Sequence, residues 1–313
     1  MKILVTGGAG FIGSQITDRY LDLGHDVIVI DNFSTGKKHN LNSKARFYEV
    51  DLRDNKKISS IFEKEQPEIV NHHAAQLDVR KSVADPGFDA EVNILGIINL
   101  LEASVRHSVQ KFIFASSGGV VYGDATTIPT PETYQPLSPV SPYGIAKLTS
   151  ELYLAFYSNV HKLPFVALRY ANIYGPRQDP FGEAGVIAIF AQKMLVREQP
   201  IIYGDGEQLR DFTFVGDVVE ANVKALNTKT RGSFNIGTKI GTSVNQLFDL
   251  LVTATKTEFK KQYGPAKKGE QMRSILDATK AEKELDWKPQ ITLEHGLEKT
   301  VTFFINEKNK QNI

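Results

Sequence analysis

The sequence predicts an α/β chain built on a doubly wound parallel sheet, with a smaller C-terminal domain, and three observations carry that reading. Short β-branched runs alternate with amphipathic stretches through the first half, the order that buries a parallel sheet beneath helices on both faces. The first run opens directly into a glycine loop and a helical pattern, an arrangement suited to a pyrophosphate. Beyond residue 173 the pattern breaks into loops rich in Gly and Pro, which read as a ligand cover rather than further sheet.

Each element follows in order. "KILVTG" is the first strand and Ser14 to Leu23 the first helical stretch; "HDVIVID" is a second strand ending at Asp31. "RFYEVD", "EIVNHHA" and "KFIFASS" supply three more, and Pro164 to Tyr170, "PFVALRY", the sixth. Residues 1–172 are expected to form the dinucleotide-binding domain, rejoined by about 208–238, where "GSFNIG" returns one strand; residues 173–313 form the smaller domain. The polar end Asn306 to Asn312 is expected to fray.

Composition excludes several classes of function. With 37 basic and 36 acidic residues among 313, the formal charge is +1, so no strong field draws the chain to nucleic acid or to an anionic membrane. An anionic ligand must be held by a local site. There is no cysteine, hence no disulfide, thiolate metal site or cysteine nucleophile. An apolar strand begins by residue 3 and no apolar run approaches the ~20 residues of a membrane span, so the expected location is the cytoplasm.

In "TGGAGFIGS", Gly7, Gly10 and Gly13 allow a tight turn and close backbone approach, while the helix start offers free N–H groups to a pyrophosphate. Asp31, at the end of the second strand, stands where an acid holds the adenosine ribose hydroxyls. Its charge repels a 2′-phosphate and no arginine adjoins it in sequence, which favours NAD over NADP. In "SPYGIAK", Tyr143 and Lys147 share one face of a helix beginning near Pro142. An ammonium and a cationic nicotinamide beside the phenol would favour its phenolate, a candidate base for a sugar or alcohol hydroxyl; the plain alternative is a surface tyrosine with a solvated lysine. His72 and His73 point to opposite faces of a strand and cannot chelate one ion, so no metal site is expected.

With these residues placed, the chain resembles the extended short-chain dehydrogenase/reductase family, and within it the enzymes that act on nucleotide sugars. The resemblance runs nearly end to end, through "TGGAGFIG", "HHAAQ", "SPYGIAK", "LRYANIYGPRQ", "IYGDGEQLRDFTFVGDV", "FNIG" and "DATKA". It implies a Rossmann-type fold and a cofactor shell of Gly7, Gly10, Phe11, Ile12, Gly13, Asp31, Asn32, Asp51, Leu52, Ala74, Ala75, Gln76, Asn93, Tyr143, Lys147 and Tyr170. For a UDP-sugar it implies Asn172 at the phosphate beside the sugar, Tyr203 against the uracil, Arg210 on the diphosphate and Glu270 at a ribose. The activity implied is NAD-dependent inversion at C4 of a UDP-hexose through a transient 4-keto sugar, by a homodimer joined through helices near 90–107 and 143–160. A reductase, dehydratase or decarboxylase of nucleotide sugars, or a non-catalytic NAD sensor, are the other readings.

Two departures from the family pattern stand out. Lys267-Lys268-Gly269-Glu270 replaces an arginine-led motif, and lysine lacks the planar fork. In "FASSGGVVYG" the family's active-site hydroxyl falls on Gly118. Ser117, or Ser116 before it, is expected to supply the hydroxyl, with the glycine pair giving it freedom to move. In the family, dehydratases carry Asp-Glu where Gly119 and Val120 stand here, and decarboxylases carry Glu at the Val120 position. Ser274 occupies the position of a bulky tyrosine in enzymes restricted to UDP-glucose and UDP-galactose, so space for the N-acetyl group of UDP-N-acetylglucosamine is expected.

Overall fold

A computed structural model describes residues 1–181, 185–266 and 271–311. Glu270, with Lys267, Lys268 and Gly269, lies outside the described residues.

Seven strands form one all-parallel sheet. In chain order the first six are β1 (Lys2–Thr6), β2 (Asp26–Asp31), β3 (Arg46–Glu49), β4 (Ile69–His72), β5 (Lys111–Ser117) and β6 (Phe165–Tyr170). Across the sheet the order is β3, β2, β1, β4, β5, β6, with Gly232–Ile236 at the edge beside β6. The chain runs outward from β1 to β3 and then restarts on the other side of β1 with β4. That reversal opens a crevice beyond the carboxyl ends of β1 and β4, the place where open α/β sheets bind ligands.

Both faces of the sheet are covered, as continuous apolar strands require. Ile3, Val5, Val29 and Val166 pack with Ile16, Tyr20, Val218 and Ala225 of the helices Phe11–Asp22 (α1) and Val215–Asn227 on one face. Leu4, Ile28, Val70 and Phe112 meet Phe62, Leu100 and Leu154 on the other. A third core around Phe190, Leu247, Phe248 and Leu297 holds the smaller C-terminal part together. Short strands there converge on the main sheet's edge: Asn172–Tyr174 pairs with Phe212–Phe214, and Leu209–Arg210 lies between Thr242–Ser243 and Arg273–Ser274.

Two boundaries differ from the sequence reading. The first helix starts at Phe11, three residues early, because the glycine loop itself makes the turn into it. The C-terminal helix Leu293–Gln311 runs through most of the segment expected to fray. Phe304 is buried in the third core, and Lys308 Nζ donates to the Leu195 carbonyl at 3.1 Å, which seats the last turns. Among the described residues no helix is long and apolar enough to cross a membrane.

Candidate active site

A cavity of about 560 Å³ opens at the carboxyl edge of the sheet. Of the sixteen residues expected around a dinucleotide, fourteen line it, and Gln76 and Asn93 stand behind them. The Asn93 amide accepts from Gln76 N at 2.9 Å and donates to Gln76 O and Asp89 Oδ1. It thereby fixes the loop after β4 from a π-helical turn, Glu91–Leu95.

The glycine loop is built by crowding as much as by turning. Gly7 has φ +69°, and a Cβ there would lie 2.7 Å from Ala74 N; one on Gly13 would lie 2.3 Å from the Gly7 carbonyl oxygen. Only glycine lets the first turn of α1 close so tightly on β1. No side chain caps that helix, so its first N–H groups remain free for an anion. Asp31 accepts from Ala9 N at 3.0 Å and Phe33 N at 2.8 Å. Burial raises its carboxyl above the usual range, opposed by those two N–H groups. Each oxygen keeps a lone pair for a ribose hydroxyl. Asp51 accepts from Asn32 and Arg53, whose guanidinium holds its carboxyl down at about 2. These features fit a dinucleotide diphosphate and its adenosine ribose.

Tyr143 and Lys147 lie in the same cavity, on the helix Pro142–His161. Ser141 caps its N-terminus by accepting from Gly144 N at 3.1 Å, and proline fills the first helical position. Lys147 Nζ donates to the Ala115 carbonyl at 2.8 Å and stands 4.7 Å from the Phe114 ring centroid and 5.6 Å from that of Tyr143. Burial pulls its ammonium down to about 8, with Asp89 and Glu151 opposing. Burial, then the charge of Asp89, pushes the Tyr143 phenol above its ordinary value. The chain's own groups therefore do not lower the phenol, and the phenolate reading depends on a cation brought into the cavity.

One turn beyond Lys147, buried Glu151 pairs with buried Arg169 at 2.6 Å. It also accepts from Ser116 Oγ at 2.5 Å and Ser233 Oγ at 2.7 Å. Ser116 lines the cavity, but its hydroxyl is committed to that buried pair; Ser117 is not among the cavity's lining residues. Ser117 is half-buried, and its hydroxyl makes no hydrogen bond among the described residues. His72 is buried, its Nδ1 2.7 Å from Thr6 Oγ1; His73 Nε2 lies 3.0 Å from the Tyr170 hydroxyl, which accepts from Asn222. Among the described residues no cluster of His, Asp and Glu could hold a metal ion.

Asn172, Arg210 and Ser274 come from the short strands near this edge, and their registers join them. Ser274 stands opposite Arg210, and Asn172 N donates to the Asp211 carbonyl at 2.9 Å. Tyr203 is exposed, on a strand paired with Tyr263–Gly264. The loop expected to cover a ligand does line the cavity as a strap, through Arg177, Gln178, Asp179 and Phe181 opposite Phe33 to Lys37; what sequence reasoning missed is the ion pairs that hold it there. Lys37 pairs with Asp179 at 2.9 Å and Arg177 with Asp18 at 2.7 Å. Lys37 and Arg177 are thereby each matched by a carboxylate. The Gly- and Pro-rich composition marked the loop as a cover, but nothing in it names its partners Lys37 and Asp18, which lie far away in the chain.

Residues 3–237 match the model of the NAD dependent epimerase/dehydratase family. The chain belongs to that family. Its fold is similar to that of a UDP-glucose 4-epimerase from Thermotoga maritima solved with UDP-glucose: 50% identity, TM-score 0.97, covering 98% of this chain and 100% of that one. A Thermus thermophilus UDP-glucose 4-epimerase in complex with NAD is 41% identical, with TM-score 0.93 over 97% and 99% of the two chains. A UDP-N-acetylglucosamine 4-epimerase from Methanobrevibacter ruminantium, in complex with UDP-N-acetylmuramic acid, is 35% identical with TM-score 0.93, covering 98% of each chain.

Proposed function

We propose that the chain is an NAD-dependent UDP-hexose 4-epimerase, with residues 1–172 and about 208–238 holding the dinucleotide and the remainder the nucleotide sugar. The observation that carries this reading is the presence of Tyr143 and Lys147 in one cavity with the glycine loop and Asp31. Tyr143 takes the proton of the C4 hydroxyl and later returns it. NAD, when bound, supplies reversible hydride acceptance at C4 and the positive charge that offsets the phenol's burial. Lys147, held by the Ala115 carbonyl, keeps a second positive charge beside the phenol. Ser117 donates its free hydroxyl to the sugar oxygen. The 4-keto sugar turns while Asn172, Tyr203 and Arg210 keep the nucleotide in place, and Gly119 leaves the hexose room to turn.

The small side chain of Ser274 supports acceptance of both UDP-glucose and UDP-N-acetylglucosamine; the likeness to epimerases named for each sugar accords with that breadth. A homodimer is part of the proposal. Leu152, Phe156 and Val160 form one exposed apolar stripe, four residues apart on the helix Pro142–His161, and Leu95 is exposed on the neighbouring turn. Proton NMR of UDP-galactose and of UDP-N-acetylglucosamine incubated with purified protein and no added cofactor tests the activity. The C4 epimer is expected from each; a net oxidised or dehydrated product, or no change with NAD supplied, refutes the reading.

A further inference from the structure

Two adjacent glycines follow β5, opening the helical turn Gly118–Val121, and the structure gives them different causes. Gly118 has an ordinary backbone, yet a Cβ on it would lie 2.4 and 2.8 Å from the two Leu276 methyl carbons and 3.1 Å from Leu276 Cγ. Gly119 is open: a Cβ there would meet only Ser117 Oγ at 3.8 Å and Ser274 Oγ at 3.9 Å. Gly118 is thus required by crowding, whereas Gly119 clears a space between two hydroxyls.

Leu276 is not free to withdraw. It is 1% exposed, in a small core with Val121 and Tyr122. Its N–H donates to buried Asp211 at 3.3 Å, while Thr130 bonds both neighbours, accepting from Asp277 N and donating to the Ile275 carbonyl, each at 2.9 Å. On the Gly237 side, a Cβ on that glycine would already lie 3.1 Å from Leu276 Cβ. The side chain is held from behind and aimed at Gly118.

We infer that Leu276 is a positioning residue: by filling the space into which a side chain at 118 would grow, it makes Ser117 the hydroxyl that β5 presents to the sugar. The inference rests on the epimerase reading for its catalytic consequence, but not for its packing. Ser116 is bound to Glu151 and position 118 is closed by Leu276, so Ser117 is the one β5 hydroxyl that reaches the open space at Gly119, across from Ser274. The exchange is reciprocal: shortening Leu276 lets a hydroxyl at 118 take over.

Two measurements test this. Thermal stability of Gly118→Ser, Leu276→Ala and the double variant forms a cycle independent of turnover. Gly118→Ser alone is expected to lower Tm by roughly 3 °C or more through overpacking, and much less when Leu276 is already alanine. Additive effects overturn the packing argument. Gly118→Ala with Leu276→Val supplies the milder pair if the first does not fold. Turnover is then read in a Ser117→Ala background. Adding Gly118→Ser is expected to restore nothing while Leu276 is present, and to restore about 10-fold or more once Leu276→Ala is added. Recovery with Leu276 intact, or none after its truncation, overturns the assignment. A wild-type protein that interconverts no UDP-hexose would instead sink the epimerase reading, and the stability cycle would still judge Leu276.

Discussion

Replacing Lys147 by methionine should stabilise the fold at neutral pH while removing activity. Methionine keeps the length and apolar stem of lysine but not its charge. The ammonium is buried, and its drop from the ordinary 10.5 to about 8 corresponds to roughly 3 kcal/mol of unfavourable burial when charged. Against this stands the lost bond to the Ala115 carbonyl, a cost of about 1–2 kcal/mol. The net gain for Lys147→Met is therefore about 1–2 kcal/mol. Its pH dependence follows from the direction of the shift. The folded pKa lies below the unfolded one, so the penalty on the native protein is fully present below about 8 and fades as pH rises through 10.5, above which both states are neutral. Urea unfolding of protein stripped of dinucleotide, at pH 7 and at intervals to pH 10.5, reads the difference without ligand linkage. The variant should lead at pH 7 and lose that lead across the window. A variant no more stable at pH 7, or a gap that stays constant with pH, refutes the assignment of strain to Lys147.

Tyr143→Phe should retain bound dinucleotide, measured after acid release from purified protein, while turnover falls by roughly 10²- to 10⁴-fold; a variant keeping a tenth of wild-type rate would remove Tyr143 as the base. Asp179→Ala frees one end of the strap, bonded to Lys37 across an exposed pair. It should speed dinucleotide release by up to about 5-fold, seen as faster exchange with labelled NAD, and an unchanged rate would leave the strap no part in retention. Ser274→Tyr places a ring beside the space at Gly119 and should depress kcat/KM for UDP-N-acetylglucosamine more than for UDP-glucose; equal losses would show that Ser274 does not gate the acetyl group.

What the sequence made legible is what the chain places close together. β1, the glycine loop, α1 and Asp31 occupy one continuous stretch, so spacing alone lays out the dinucleotide cradle. Tyr143 and Lys147 are four apart on one helix, and helical geometry puts them on one face without tertiary knowledge. The missed features join distant segments. Lys37 and Asp179 are polar residues in separate loops, and nothing local marks either as the other's partner. Glu151 continues the Tyr143–Lys147 row on its helix, but its partners Ser116 and Arg169 come from β5 and β6, contacts that helix spacing does not reveal.

The glycine pair shows why composition misleads at a packed site. Read along the chain, Gly118 and Gly119 signal freedom, because glycine removes the Cβ and loosens the backbone. In the fold Gly118 has no freedom to spend: its missing side chain is the volume that Leu276 fills. A glycine can therefore record a neighbour's bulk, and the neighbour here arrives from 158 positions downstream on a segment pinned by Thr130 and Asp211. If Ser117 is the working hydroxyl, as proposed, its placement depends on the C-terminal segment as well as on β5. The same segment carries Ser274 to the far side of Gly119, so in the proposed mechanism the hydroxyl's position and the room for the sugar would be coupled through three residues, Ser274 to Leu276. Substitutions that shift this short run should change turnover and sugar preference together, whereas changes confined to β5 should change turnover alone.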